Sequence, residues 1–166
     1  MMTASRPSPP LLIVWHSRTG TSRQLAEAAG EGAGDGALAI GCEAAEPGHF
    51  LAARGVLFVC PENLGALSGA MKEMFDRCYY PLLGQIEGRA YATIIAAGSD
   101  GTGAQRQLDR VCTGWRLRRV AEGVIVGTGA QTPERILAPK TVTPADLAMA
   151  RQLGAGLAEA LRQGIY

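Results

Sequence analysis

The chain has 166 residues, of which 47% are apolar and 19% charged, and its 16 Lys+Arg against 15 Asp+Glu leave a formal net charge of +1. This length suits one domain with a real core, and the composition excludes a disordered chain or a coiled coil. A balance so near neutral gives no global field to draw the protein to nucleic acid or to an anionic membrane, so any partner is recognised locally.

Residues 1–10, MMTASRPSPP, offer almost nothing to bury and are expected to form a flexible leader ahead of one domain over residues 11–166. Five short apolar runs follow: LLIVWH (11–16), ALAIGC (37–42), GVLFVC (55–60), ATIIAAG (92–98) and GVIVG (123–127). Their nearly continuous apolar character predicts parallel strands covered on both faces. None approaches the roughly 20 residues that a membrane span needs. Helical segments separate the runs. Thr21 and Gln24 have capping-box spacing at the start of the first, which should run to about Gly30. The crossover 44–54, with Pro47 and Gly48, has the weakest pattern. Leu67, Met71, Met74, Phe75 and Cys78 share one face of a third helix, which Pro81 should end. Leu108, Val111, Cys112 and Trp115 form a similar stripe, as do Leu147, Ala150, Gly154, Leu157 and Leu161. The result is an α/β domain with a five-stranded parallel sheet, whose ligands sit outside the carboxyl ends of the strands at a switch in strand order.

The first strand runs into Ser17-Arg18-Thr19-Gly20-Thr21-Ser22. A helix N-terminus leaves about four amide donors unpaired and carries about half a positive charge, so this turn can hold a phosphate although no lysine follows it. Ser17, Thr19, Thr21 and Ser22 add hydroxyl donors, and Gly20 lets the backbone curl close. Without the lysine of a GxxxxGK[ST] loop, the turn suits a phosphomonoester better than a nucleoside triphosphate.

These residues resemble the flavodoxin-like family, whose first turn, [ST]-x-T-G-x-[ST], wraps the phosphate of FMN. The third strand then enters Pro61-Glu62-Asn63-Leu64-Gly65, and Ser68-Gly69 leads into a helix with Met71, Lys72, Asp76 and Arg77. This resembles P-E-x-x-G followed by S-G-x-M-K-x-x-x-D-R, a feature of the NAD(P)H-dependent FMN reductase and quinone oxidoreductase branch. Gly98-Ser99-Asp100-Gly101 resembles the family's third loop, and Thr143-Pro144 the start of its last helix. The resemblance spans most of residues 11–163. It implies a three-layer α/β/α sandwich with strand order 2-1-3-4-5. It also implies an FMN site formed by Ser17, Arg18, Thr19, Gly20, Thr21, Ser22, Pro61, Glu62, Asn63, Leu64, Gly65, Ser99, Asp100 and Gly101.

Rival motifs do not hold. Ala97-Gly98-Ser99-Asp100-Gly101 approximates a hydrolase nucleophile elbow, but both histidines precede the serine. Cys112 and Arg118 have cysteine-phosphatase spacing, but within a predicted helix. Gly127-Thr128-Gly129 lacks the third glycine and the following helix of a dinucleotide fingerprint, since a loop of about a dozen residues comes next. Cys60 stands where a receiver domain needs an acid. Cys42, Cys60, Cys78 and Cys112 form no CxxC pair, so no metal site is expected. His16 borders the first turn, and Arg116, Arg118 and Arg119 form a basic cluster that could meet a nicotinamide-cofactor phosphate.

The resemblance implies an oxidoreductase that passes hydride from NADPH or NADH to FMN and on to a quinone, a flavin or a similar small-molecule acceptor, with no catalytic side chain beyond the flavin. Enzymes of this family are commonly oligomers, so the resemblance makes a homo-oligomer possible. A cytoplasmic setting with reduced thiols is expected, without nucleic-acid or membrane partners. Two other readings stay open: a flavodoxin-type electron carrier and a cofactor-free binding module of the same fold. Carriers of this type are strongly acidic and flank the ring with aromatics. This chain is near neutral and has no Trp or Tyr in residues 61–66 or 98–103, which favours the reductase.

Overall fold

Apolar runs too short for a helix and apolar on both faces must be covered from both sides, and this decides the architecture. A computed structural model describes residues 8–166. The strands are β1 (Leu11–Trp15), β2 (Ala37–Gly41), β3 (Gly55–Asn63), β4 (Ala66–Leu67), β5 (Ala90–Ala97), β6 (Arg118–Arg119) and β7 (Val124–Gly127). The helices are α1 (Thr21–Ala33), α2 (Pro47–Ala52), α3 (Gly69–Leu82), α4 (Thr102–Gly114), α5 (Pro133–Leu137) and α6 (Pro144–Arg162). The parallel sheet runs β2-β1-β3-β5, with β6 beside the start of β5 and β7 beside its end. With β6 and β7 taken as one broken edge strand, this is the expected order 2-1-3-4-5 in a flavodoxin-like α/β/α sandwich.

The two sheet faces are filled differently. Leu12, Val14, Val56, Phe58 and Ile95 point to the α3 and α4 side, where Phe50, Phe58, Phe75 and Trp115 form a chain of ring contacts with centroids 4.9–6.5 Å apart. Leu11, Ile13, Leu57, Val59 and Ile94 point to α1 and α6, whose buried faces are mainly alanine and leucine. Small residues bring those helices into backbone contact. A Cβ on Gly32 would lie 2.0 Å from the Arg151 carbonyl oxygen, and one on Gly154 would lie 2.0 Å from that of Ala29.

Several local expectations are corrected. No capping box forms at Thr21 and Gln24: Gly20, at φ 105°, is the N-cap, and no side chain caps the helix. The Gln24 amide instead donates to the Gly20 and Lys140 carbonyls, at 2.9 and 2.8 Å. A capping box does form at Glu46 and His49, opening α2 in the crossover with the weakest pattern. Pro81 lies inside α3, which runs on to Leu82; near a helix end the ring of proline has little left to disrupt. The segment Thr113–Leu117, expected as helix, leaves α4 at Gly114, and Arg116 takes φ 61°. The loop after Gly127 contains α5, while Thr143 caps α6 by accepting from the Asp146 amide, as its position predicts. Most of the leader lies outside the described residues. At its end the Pro10 carbonyl accepts from the Arg54 and Gly55 amides, at 2.8 and 3.2 Å.

Candidate functional site

β1 and β3 are neighbours, but the chain reaches β3 only after visiting β2 on the far side of β1. The crevice at their carboxyl ends is therefore a switch point, and the first and second predicted loops both open onto it. In the first loop the Gly20 amide donates to Ser17 Oγ at 3.1 Å, and Gln24 N to the Gly20 carbonyl at 3.0 Å. That bond closes the first turn of α1, so the amides of Thr21, Ser22 and Arg23 precede the helical ladder. Among the described residues, Thr21 Oγ1 and Ser22 Oγ are the buried side-chain polar atoms without a hydrogen-bond partner, in residues only 6% and 1% exposed. Arg18 is exposed.

The second loop is a hairpin that no sequence pattern announced. β3 extends through Pro61, Glu62 and Asn63, turns at Leu64 and Gly65, and pairs antiparallel with β4, Glu62 facing Leu67. Leu64 at φ 53° and Gly65 at φ 75° both take positive φ, as a type I′ turn requires. Leu64 is fully exposed, at 106% of its reference surface.

The third loop follows β5. Its Gly101 amide donates to Glu62 Oε1 at 2.9 Å, and the Ala104 amide to Glu62 Oε2 at 3.0 Å. The Glu62 carboxylate thus occupies the N-terminus of α4, where the helix dipole favours an anion. A Cβ on Gly103 would stand 2.1 Å from the Gly65 carbonyl oxygen, so the hairpin tip rests directly on this helix. Asp100 accepts from Thr102 Oγ1 at 2.7 Å, and Ser99 is exposed. The expected residues of all three loops stand at the same rim, although the Glu62 and Asp100 carboxylates bond within the protein.

Two further contacts were not foreseen. His16 Nδ1 and Ser68 Oγ are 2.8 Å apart, joining the end of β1 to the start of α3, with Glu43 Oε1 at 4.0 Å from Nε2. Burial lowers the His16 pKa, Arg18 lowers it further, and Glu43 acts in the opposite sense. From far along the chain, Lys140 crosses the first loop: its amide donates to the Thr19 carbonyl at 2.8 Å, and its Nζ lies 3.4 Å from Thr19 Oγ1. No short-range pattern could find a partner 121 residues away. Arg77, part of the motif after the second loop, donates to the Ala45 and Cys42 carbonyls and pairs with Glu73, so it braces the 42–46 segment.

Residues 49–132 match the model of the NADPH-dependent FMN reductases, just over half the chain. The chain belongs to that family. The reductase match takes in the second and third loops but starts beyond Ser17–Ser22. A flavodoxin from Aquifex aeolicus is 30% identical over 97 residues, which cover 56% of this chain and 52% of the relative, so the match spans about half of each. Among solved structures, the flavodoxin, WrbA-like protein from Agrobacterium tumefaciens aligns with TM-score 0.74 and 20% identity, over 92% of this chain and 97% of the other. A flavodoxin from the domain Archaea aligns with TM-score 0.73 and 15% identity, over 92% and 98%. At such identities these likenesses show the flavodoxin-like fold alone. No described helix is long and apolar enough to cross a membrane.

Proposed function

We propose that the chain binds FMN with its phosphate in the Ser17–Ser22 turn and acts as an oxidoreductase that draws hydride from NADPH or NADH and delivers it to a quinone, a flavin or a similar small acceptor. One observation carries this reading: the partnerless buried hydroxyls of Thr21 and Ser22 at the mouth of α1. A buried hydroxyl left unpaired costs about 1–3 kcal/mol, and phosphate oxygens are acceptors for both of them. The donor set fits a phosphate monoester: early amides of α1, hydroxyls, and a left-handed glycine at φ 105° where a β-branched side chain would be strained.

When bound, FMN supplies the redox chemistry. The chain's part is to bind and orient. On this reading the exposed turn at Leu64 and Gly65, carried by the paired strand residues Pro61 and Asn63, meets a planar ring's polar edge, together with the exposed Ser99 and Asp100. Glu62 ties the two loops together through both carboxylate oxygens. The family description names NADPH as the reductant, and the near-neutral charge favours a reductase over an acidic carrier. All four cysteines are buried and unpaired, in keeping with the proposed cytoplasmic setting. A small-molecule acceptor and a second copy of the chain complete the proposed partners.

The purified protein should be yellow and release FMN on denaturation, and anaerobic NADPH or NADH should bleach it within seconds. Gly20→Val should abolish FMN binding with the fold intact. A colourless protein that takes up no added FMN would end the reading, and a flavin that neither pyridine nucleotide reduces would move the protein to the carriers.

A further inference from the structure

The basic residue of the first turn, Arg18, is exposed, and a second cation reaches the turn from 121 residues further along the chain. Residues 138–142 lie across the turn as a strap. The Lys140 amide donates to the Thr19 carbonyl at 2.8 Å, the Gln24 side chain donates to the Lys140 carbonyl at 2.8 Å, and the Val142 amide donates to Gln24 Oε1 at 3.3 Å. Val142 is buried against the α1–α6 layer and anchors the far end. At this strap the Lys140 ammonium donates to the carbonyls of Ile136, at 3.0 Å, and Ala138, at 2.6 Å, and reaches Thr19 Oγ1 at 3.4 Å.

We infer that Lys140 is a long-range cation of the phosphate turn, a positioning residue that acts through Thr19 and makes the site discriminate a phosphorylated flavin from an unphosphorylated one. An ammonium has three donors and no acceptor, and these three contacts use all of its donors. A hydroxyl that accepts from an ammonium must turn its own hydrogen elsewhere, so Thr19 is set as a donor to an anion held by the turn. The positive charge stands one hydroxyl away from that anion, and its contact with Thr19 is the part-buried one of the three. The main-chain bonds hold the lysine whether or not an anion is present, so the charge is placed in advance. The inference rests on the FMN reading for its ligand, but its geometry does not.

The test is flavin fluorescence titration of the full chain, stripped of flavin, with FMN and with riboflavin. Lys140→Met should weaken FMN binding about 10- to 100-fold, the range of a lost charge-assisted contact, and leave riboflavin binding unchanged. Lys140→Arg should retain most of the preference, and Thr19→Val should make Lys140→Met nearly silent. Equal loss of FMN and riboflavin, or no loss of either, would overturn the inference. If the wild type binds neither flavin, the FMN reading fails by itself and inorganic phosphate becomes the probe. Phosphate should then raise the melting temperature of the wild type more than that of Lys140→Met, and an equal rise would overturn the role of Lys140. Melting curves without ligand, together with the Arg variant, separate this effect from a damaged strap.

Discussion

Glu62 and Gly101 stand 39 residues apart in the chain, and the carboxylate of the first accepts the backbone amide of the second at 2.9 Å. Since the other carboxylate oxygen takes the Ala104 amide, one side chain satisfies two donors at the start of α4. Glu62→Ala should therefore destabilise the fold by about 1–2 kcal/mol, the scale of a lost helix cap, and Glu62→Gln should cost less. Urea denaturation measures both. An Ala variant as stable as the wild type would show that water replaces the carboxylate without loss.

Leu64 occupies the left-handed region at φ 53° with its side chain in solvent, where Asn or Gly would be relaxed. Leu64→Asn should raise stability by about 1 kcal/mol. If the exposed leucine is retained for its contact with the flavin, the same variant should bind FMN less tightly, exchanging affinity for stability. Thermal melting and flavin titration on one preparation read both quantities. A less stable variant would contradict the turn geometry, and unchanged affinity would remove Leu64 from the site.

The reciprocal contacts of Gly32 and Gly154 leave no room for a methyl group against rigid backbone. Gly154→Ala should destabilise by about 1–3 kcal/mol, although alanine is the better helix former by about 1 kcal/mol. Gly156, which has open space beside it, is the internal control: Gly156→Ala should be neutral or stabilising. Identical denaturation midpoints for the two variants would refute the close approach of α1 and α6.

Stability should fall on both sides of a plateau in pH. Burial lowers the His16 pKa from its ordinary 6.5, so the unfolded chain binds the extra proton, and the stability held by neutral His16 is lost as pH falls from 6.5 through the lowered value. Burial pushes the Cys42 thiol up to about 11, with Glu43 adding to it, and the Cys60 thiol up to about 12, from an ordinary 9.0. The folded form then keeps protons that the unfolded chain has lost, so stability declines as pH rises above 9.0 through those values. Melting temperature against pH checks both limbs. His16→Gln should flatten the acid limb just below 6.5; a limb that keeps its slope would assign it to other groups.

What was legible in the sequence is what short-range physics dictates. Continuous apolar runs had to become covered strands, and Thr143-Pro144 had to open a helix, because each signal lies within a few residues of its effect. The hairpin at Leu64 has no short-range signature, because its turn carries a leucine where asparagine is usual. Gln24 suggested a capping box by spacing alone, yet its amide is taken by a carbonyl 116 residues away. Glu62 stood in a motif that pointed to the ligand, and its side chain instead serves a helix that begins 40 residues later. Contacts of that span depend on how the sheet closes, which local pattern does not encode.

The strap also sets the order in which the pieces become available during synthesis. Residues 17–22 leave the ribosome well ahead of the lysine that lies over them, which follows 121 residues behind Thr19, and the glycine contacts between α1 and α6 wait as long. Until Lys140 has been added, the Thr19 carbonyl lacks the amide that caps it in the folded chain. Removal of the segment from Pro139 onward would therefore uncover a turn more than a hundred residues away from the cut.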